Sequence, residues 1–406
     1  MTKDKKWHII WLVYGIYAIF IGLYLFRWAP TGIPDIYLGT VLDPATFLPD
    51  ESITTSVHFA RIRHFIFFLQ TPFQWLIMSH FIWGGLSDNV QAVITKRVSK
   101  KFFATSLYFL VFSLYTFLIM LPIRFISLLI ARHFGTSHIT IGRWLTNRGI
   151  DFIIDFVLYM VIIHVVLWLI KKFPKRWWLV AWGSFVPFAF FFMLIQPLVI
   201  DPLYNDFIPL THERLEQDIL NMAENAGVRA ERVFVVEMST RTSTINGYVT
   251  GVGPSARIVL WDTALQQLSD DAIMFLMAHE IAHYVYRDIY FAIGVATIFA
   301  FGGLFVLSMI LNKQEKGNFA QIPIAILSIY VMLFITSPVT NAISRRVESR
   351  ADTFALELTG DSEGGIELFQ TLARTSLNET TPPPLVRFFR STHPSIFERI
   401  HYLKEE

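Results

Sequence analysis

Apolar residues dominate seven stretches of this chain, at 7–26, 64–86, 102–123, 152–170, 177–200, 289–311 and 319–340. At about 1.5 Å of rise per helical residue, each is long enough to cross a hydrocarbon core of roughly 30 Å. Lipid offers the backbone no hydrogen-bonding partner, so each stretch is expected as a helix. Trp7, Arg27, Lys171, Arg176, Trp177 and Trp178 stand at the ends of these runs, where aromatic and basic side chains settle at the water interface. The first run follows a basic opening and has no small-residue cleavage site, so it reads as a retained span and not as a signal peptide.

Two segments break the apolar pattern. In THERLEQDILNMAENAG, Leu215, Ile219, Met222 and Ala226 share one helical face and Gly227 supplies a stop. RVFVVE (232–237) and ARIVLWD (256–262) read as short strands, and NGYVTGVGPS between them carries turn signals and a further strand over 248–250. After the last apolar run, SRRVESRADTFALELTG places Val347, Ala351, Phe354 and Leu358 on one stripe, with Gly360 as its stop. The expected fold class is mainly α: a five-span region over 1–200, then one α+β domain in two parts, 201–288 and 344–406. Spans six and seven, within 289–343, split that domain.

Composition supports the membrane reading. The chain is 53% hydrophobic and only 16% charged, outside the range of soluble domains. A net charge of +2, with basic residues scattered beside apolar runs, excludes a nucleic-acid partner and leaves membrane lipids as the surroundings. The absence of cysteine excludes disulfides, thiolate metal sites and a cysteine nucleophile, so any metal must be held by His, Asp or Glu. MTKDKK, the 87–101 connection with Lys96, Arg97, Lys100 and Lys101, KKFPKR, and the connection with Lys313 and Lys316 all fall on one side of the spans. By the positive-inside rule that side is cytoplasmic and the split domain is extracytoplasmic, although Arg61, Arg63, Arg124, Arg132, Arg143 and Arg148 weigh against this. His80, Asp155 and His164 lie at membrane depth, as side chains facing a polar chamber would.

The candidate chemistry lies in FLMAHEIAHYVYRD (275–288). His279 and His283 are one helical turn apart, so both imidazoles can reach a single ion. Glu280 stands on their flank. In this H-E-x-x-H pattern the histidines bind zinc, while the glutamate takes a proton from the attacking water. Catalytic zinc needs a third protein ligand and an open fourth position, and Glu348 in ESRAD is the candidate. Asp352, one turn on, can accept the free ring N–H of a ligating histidine. Taken alone, VESRADTFA is a solvated helix face pairing its own charges; joined to H-E-x-x-H it reads as part of a site with one Zn²⁺. A membrane receptor or transporter that binds metal without hydrolysis is the competing class. It has no need of Glu280, whereas hydrolysis does.

HEIAH followed by ESRADTFA, set among seven spans, resembles the zinc-dependent, membrane-embedded CAAX prenyl endopeptidases, which are gluzincin metallopeptidases. DPLYNDFIPL (201–210), NGYVTGVGPSARIVLWDTAL (246–265) and THPSIFERI (392–400) add to the likeness. The resemblance implies seven helices enclosing a chamber roofed by the zinc domain, and cleavage of a lipidated peptide behind a prenylated cysteine; trimming of membrane-associated or misfolded peptides that enter the chamber fits the same residues. It implies His279, His283 and Glu348 as zinc ligands, Glu280 as general base and Asp352 as the partner of a ligand. It also places Asn246, Gly247 and Tyr248 on a substrate-binding edge strand, and His393 and Arg399 among the catalytic groups, as donors to the oxyanion. Other readings stay open: Asn246-Gly247 is also a good turn, His393 before Pro394 also caps a helix, and Arg399 also pairs with Glu398. The chain departs from the family pattern at Gly247, where an alanine is frequent, and at Ser395, where a second proline is. A cytosol-facing site is implied for eukaryotic members, opposite to the charge count here. Substrate identity and oligomeric state are left open by these residues.

Overall fold

The computed structural model describes residues 3–30, 32–251, 257–314 and 318–405. The membrane region is built from α1 (Lys3–Leu23), α2 (Asp50–Trp83), a short α3 (Leu86–Arg97), α4 (Lys101–His133), α5 (Ile141–Lys172) and α6 (Trp177–Ile195). Among the described residues, seven helical segments are long and apolar enough to cross a membrane, in register with the seven expected runs. Several extend well beyond their apolar runs: the second begins at Asp50, not at 64, and the fourth at Ile141, not at 152. Apolar periodicity marks only the lipid-facing length. The polar extension of α2 buries Ser56, Phe59, Ala60 and Arg61 against other protein.

Leu12, Ile19 and Ile153 are more than 60% exposed on these helices, as side chains solvated by hydrocarbon in place of water can be. Inside, Phe81, Tyr108 and Phe112 form a buried aromatic cluster between α2 and α4. The two histidines expected at membrane depth find partners across helices. His80 Nδ1 lies 3.2 Å from the Tyr115 hydroxyl, and His164 Nε2 lies 2.9 Å from Ser106 Oγ.

The polar domain follows with β1 (Phe207–Pro209), α7 (Glu213–Asn225), β2 (Val233–Val236), β3 (Gly247–Thr250), β4 (Arg257–Trp261), α8 (Asp262–Gln267) and α9 (Asp270–Val285). β1 was not legible in the apolar pattern, because three residues are too few for a period to show. The sheet order is β1-β2-β4-β3: β1 is antiparallel to β2, β2 parallel to β4, and β4 antiparallel to β3. β3 is therefore an edge strand. Ala256, expected in the strand before Trp261, and residues 252–255 of the expected turn lie outside the described residues, as does Lys316.

Spans six and seven are α10 (Asp288–Leu311) and α11 (Gln321–Thr359), followed by α12 (Ser362–Ser376), α13 (Pro384–Phe389) and α14 (Ile396–Glu405). α11 has 39 residues, about 58 Å at helical rise, nearly twice the thickness of the hydrocarbon core. Its last turns therefore leave the membrane and enter the polar domain, ending at Gly360 in a left-handed conformation. The two parts of the domain share one core, in which Leu215, Ile219, Ile258 and Phe275 meet Phe369 and Leu403. Each such fully buried side chain contributes roughly 1.5–3 kcal/mol relative to exposure, so the insertion of two spans does not divide the domain energetically.

Candidate metal centre and active site

α9 carries the H-E-x-x-H segment and is held on all sides. Ser269 caps its start by accepting from the Ala272 N–H at 3.2 Å, and Glu367 on α12 accepts from both the Ser269 N–H and hydroxyl. Phe275 packs edge-on against Phe369. Met277 sits so close to β3 that a Cβ built on Gly247 would lie 3.1 Å from its Cε and 3.3 Å from Leu260 Cδ2. The departure from alanine at this position thus has a local packing reason.

At the end of α9 the two histidines converge with Glu348 from α11. His279 Nε2 lies 3.2 Å from His283 Nε2 and 3.2 Å from Glu348 Oε2, and His283 Nε2 lies 3.7 Å from Glu348 Oε1. One donor atom from each residue fits within a group whose members all lie within 4.8 Å of one another. Metal–ligand bonds of about 2.0–2.2 Å in a tetrahedron place neighbouring donors about 3.3–3.6 Å apart, so the spacing suits zinc. The donor chemistry agrees. The Nδ1–H of His279 donates to Asp352 Oδ1 at 2.9 Å, and that of His283 to Asp288 Oδ2 at 2.9 Å. With Nδ1 of each ring turned to a carboxylate, the two Nε2 atoms face each other and Glu348, and one shared cation can take the place of a proton there.

Burial disfavours a charge on His279, but its hydrogen bonds to Asp352 and Glu348 outweigh that and lift its pKa to about 9. The same negative surroundings favour a divalent cation. Burial pushes the carboxyl of Glu280 above the ordinary carboxylate range, against the pull of His279 and His283. His393 stands on the open side: its side chain is 56% exposed and its Nε2 lies 3.3 Å from Glu348 Oε2.

Arg399 takes a different place from a free oxyanion donor. Its Nε donates to Asp352 Oδ2 at 2.8 Å, and its guanidinium lies 4.0 Å over the Phe369 ring. This puts it behind the Nδ1 edge of His279, away from Glu348. Asn246 is exposed just before β3, with its carbonyl accepting from the Trp261 N–H at 3.0 Å. Gly247 and Tyr248 open the strand itself. Burial and nearby Asp201 push the Tyr248 hydroxyl up to about 12, so it remains a donor.

A cavity of about 1280 Å³ opens between α6, α10 and α11 below β3. Val249 and Thr250 of β3 share its wall with His283 and Glu348, while Phe185, Leu198, Val295, Ile298 and Leu333 make the rest strongly apolar. Two residues of the centre were not anticipated. Asp288 lies in contact with His283 and with Arg350, and the trace of these two residues in the sequence is their place within FLMAHEIAHYVYRD and ESRAD.

Comparison with known proteins matches residues 209–406 to peptidase family M48 and residues 43–206 to the CAAX prenyl protease N-terminal region of five membrane helices. The uncharacterized metalloprotease YhfN of Bacillus subtilis is 36% identical over 97% of this chain and 95% of its own length. CAAX prenyl protease 1 of Saccharomyces cerevisiae is 28% identical over 70% of this chain and 68% of its own. The crystal structure of S. mikatae Ste24p superposes with a TM-score of 0.83 over 98% of both chains at 21% identity, which establishes a common fold.

Proposed function

The chain belongs to peptidase family M48 and is a membrane metalloprotease, and from that premise we propose a zinc endopeptidase in which His279, His283 and Glu348 hold one Zn²⁺ and Glu280 is the general base. The observation that carries this reading is the convergence of two imidazole nitrogens and a carboxylate at a spacing that suits tetrahedral zinc.

When bound, zinc supplies Lewis acidity to the attacking water and the scissile carbonyl. Glu280 takes the proton of that water and passes it to the departing amine, and its raised pKa brings it nearer the poise a base needs at neutral pH. The free edge of β3 offers backbone N–H and C=O groups to an extended peptide, with Asn246, Gly247 and Tyr248 as its contacts. His393 donates to the carbonyl oxygen as it turns tetrahedral. Arg399 acts through Asp352, which holds the ring of His279.

The substrate class we infer is a membrane-borne or lipid-bearing peptide, supported by the apolar cavity wall that reaches His283 and Glu348. Prenylation as a strict requirement is a narrower claim, and comparing cleavage of a prenylated peptide with its unprenylated twin tests it; equal rates reject the requirement. The membrane side we infer for the zinc domain is extracytoplasmic. Lys96, Arg97, Lys100, Lys101, Lys175, Arg176 and Lys313 cluster at the opposite ends of the helices, whereas Arg61 and Arg63, among those that opposed this orientation, are engaged by Glu379 and Asn378. A reporter active only in the cytoplasm, fused after Glu406, is expected to be silent; activity there reverses the orientation.

The test of the chemistry is metal analysis and peptide cleavage by the purified chain and its Glu280→Gln variant. Both are expected to carry one zinc, and only the parent to cleave. A zinc-free parent rejects the ligand set, and a cleaving variant rejects the base.

A further inference from the structure

His279 and His283 are supported in the same way, although only one of the two supports was legible in the motif. Behind His279 stands Asp352, gripped by Arg399, whose guanidinium covers Phe369 at 4.0 Å. Behind His283 stands Asp288, whose second oxygen is gripped by Arg350, and that guanidinium covers Tyr286 at 4.2 Å. Each histidine is thus followed by a carboxylate, an arginine and an aromatic ring. Asp288 is itself buried, with 9% of its surface exposed.

The chain path is bent to make this contact. Residues five apart on a continuous helix are about 140° apart around its axis, so Asp288 cannot reach His283 from an unbroken α9. The helix stops at Val285, and Arg287 adopts φ 56° and ψ 41°, a left-handed conformation costing a non-glycine residue about 1–2 kcal/mol. α10 then starts at Asp288, with the carboxylate directed back at the imidazole. Arg350 comes from α11, two residues beyond Glu348, so the elements bearing all three candidate ligands meet at this one carboxylate.

We propose that Asp288 is the positioning residue of His283: it fixes the tautomer that leaves Nε2 free for the metal and aims the ring, and Arg350 holds Asp288 in that pose. The inference rests on the zinc reading above. It also gives the sixth span a part in the centre, because the first residue of that membrane helix sets the second metal ligand. A carboxylate lost from behind a metal-bound histidine typically weakens metal affinity by about 10–100-fold.

The experiment uses the full chain in detergent, as parent, Asp288→Ala, Asp288→Asn and Arg350→Ala. Zinc affinity is measured by competition with a chromogenic chelator, and melting is followed in excess chelator and in excess zinc. Asp288→Ala is expected to lose about 10–100-fold in zinc affinity. Asp288→Asn, which keeps an acceptor but not the charge, loses less, and Arg350→Ala less again. Melting in chelator is expected to stay near the parent's in all three, while the gain in melting temperature on adding zinc shrinks. Parental zinc affinity in Asp288→Ala overturns the proposal. So does an equal fall in melting temperature with and without zinc, the mark of a purely structural ion pair. Should Asp288→Ala not fold, the affinities of Asp288→Asn and Arg350→Ala decide on the same terms. A parent chain that binds no zinc is a different outcome: it removes the zinc reading and this inference with it.

Discussion

Single side chains in the centre divide by which atom they reach. Glu280 flanks the metal group without entering it, so Glu280→Gln is expected to lower kcat/KM by at least about 10²-fold with zinc content unchanged, measured by peptide turnover beside metal analysis. His393 and Arg399 look alike in the motif but differ in place. His393→Ala, on the open side, is expected to lower kcat by about 10²–10³-fold with zinc affinity intact. Arg399→Ala, behind Asp352, is expected to weaken zinc binding by about 10-fold or more, and chelator competition separates the two effects. His279, Glu280 and His283 were legible because one helical turn relates them whatever surrounds the helix. Asp288 was not, because its contact depends on a break in the helix that no spacing rule marks.

Among the elements, the loop leading into β3 is fixed by one carboxylate. Asp262, at the start of α8, accepts from the Met238 N–H at 2.7 Å, the Ser239 N–H at 2.9 Å and the Ser239 hydroxyl at 2.6 Å. Replacing it with alanine strands those donors, and an expected loss of about 1–3 kcal/mol is measurable by denaturant or thermal unfolding. Burial acts to raise the pKa of Asp262, but the Ser239 hydroxyl and the N–H groups of Met238, Ser239 and Thr263 outweigh it and hold the carboxyl below its ordinary range. A folded pKa below the unfolded one means that this stabilisation is complete above the unfolded value of about 3.9 and is lost as the pH falls through the folded value. The stability gap between the parent and Asp262→Asn is therefore expected to narrow in acid below the ordinary carboxylate range. Elements were legible in proportion to their length: α7 and α11 show their stripes and their glycine stops, whereas β1 and the polar first turns of α2 do not, since both depend on partners distant in sequence.

At the scale of the molecule, the membrane helices and the polar domain are joined by a buried ion pair. Arg61 on α2 donates to Glu379 at 3.2 Å and also to the carbonyls of Leu25 and Pro30. Both side chains are under 8% exposed, so Glu379→Ala leaves a buried charge short of its counter-ion. The expected destabilisation is about 3 kcal/mol, toward the lower end of the range for broken buried pairs because two carbonyls remain, and thermal unfolding in detergent measures it. Replacing both partners with leucine is expected to recover part of that loss. The seven membrane crossings, the helical character of the chain, the split of the polar domain and the histidine pair with its flanking glutamate were determined by the sequence alone. They arise from runs and spacings within single helices, which backbone hydrogen bonding and solvent impose locally. The tertiary structure alone decided how Glu348, already a candidate within ESRAD, comes to lie 3.2 Å from His279 across 69 residues of chain, that Arg399 turns to Asp352, and that Asp288 returns to His283. The direction of a side chain relative to another element is set by how the two elements pack, and packing depends on every residue in the shared core at once.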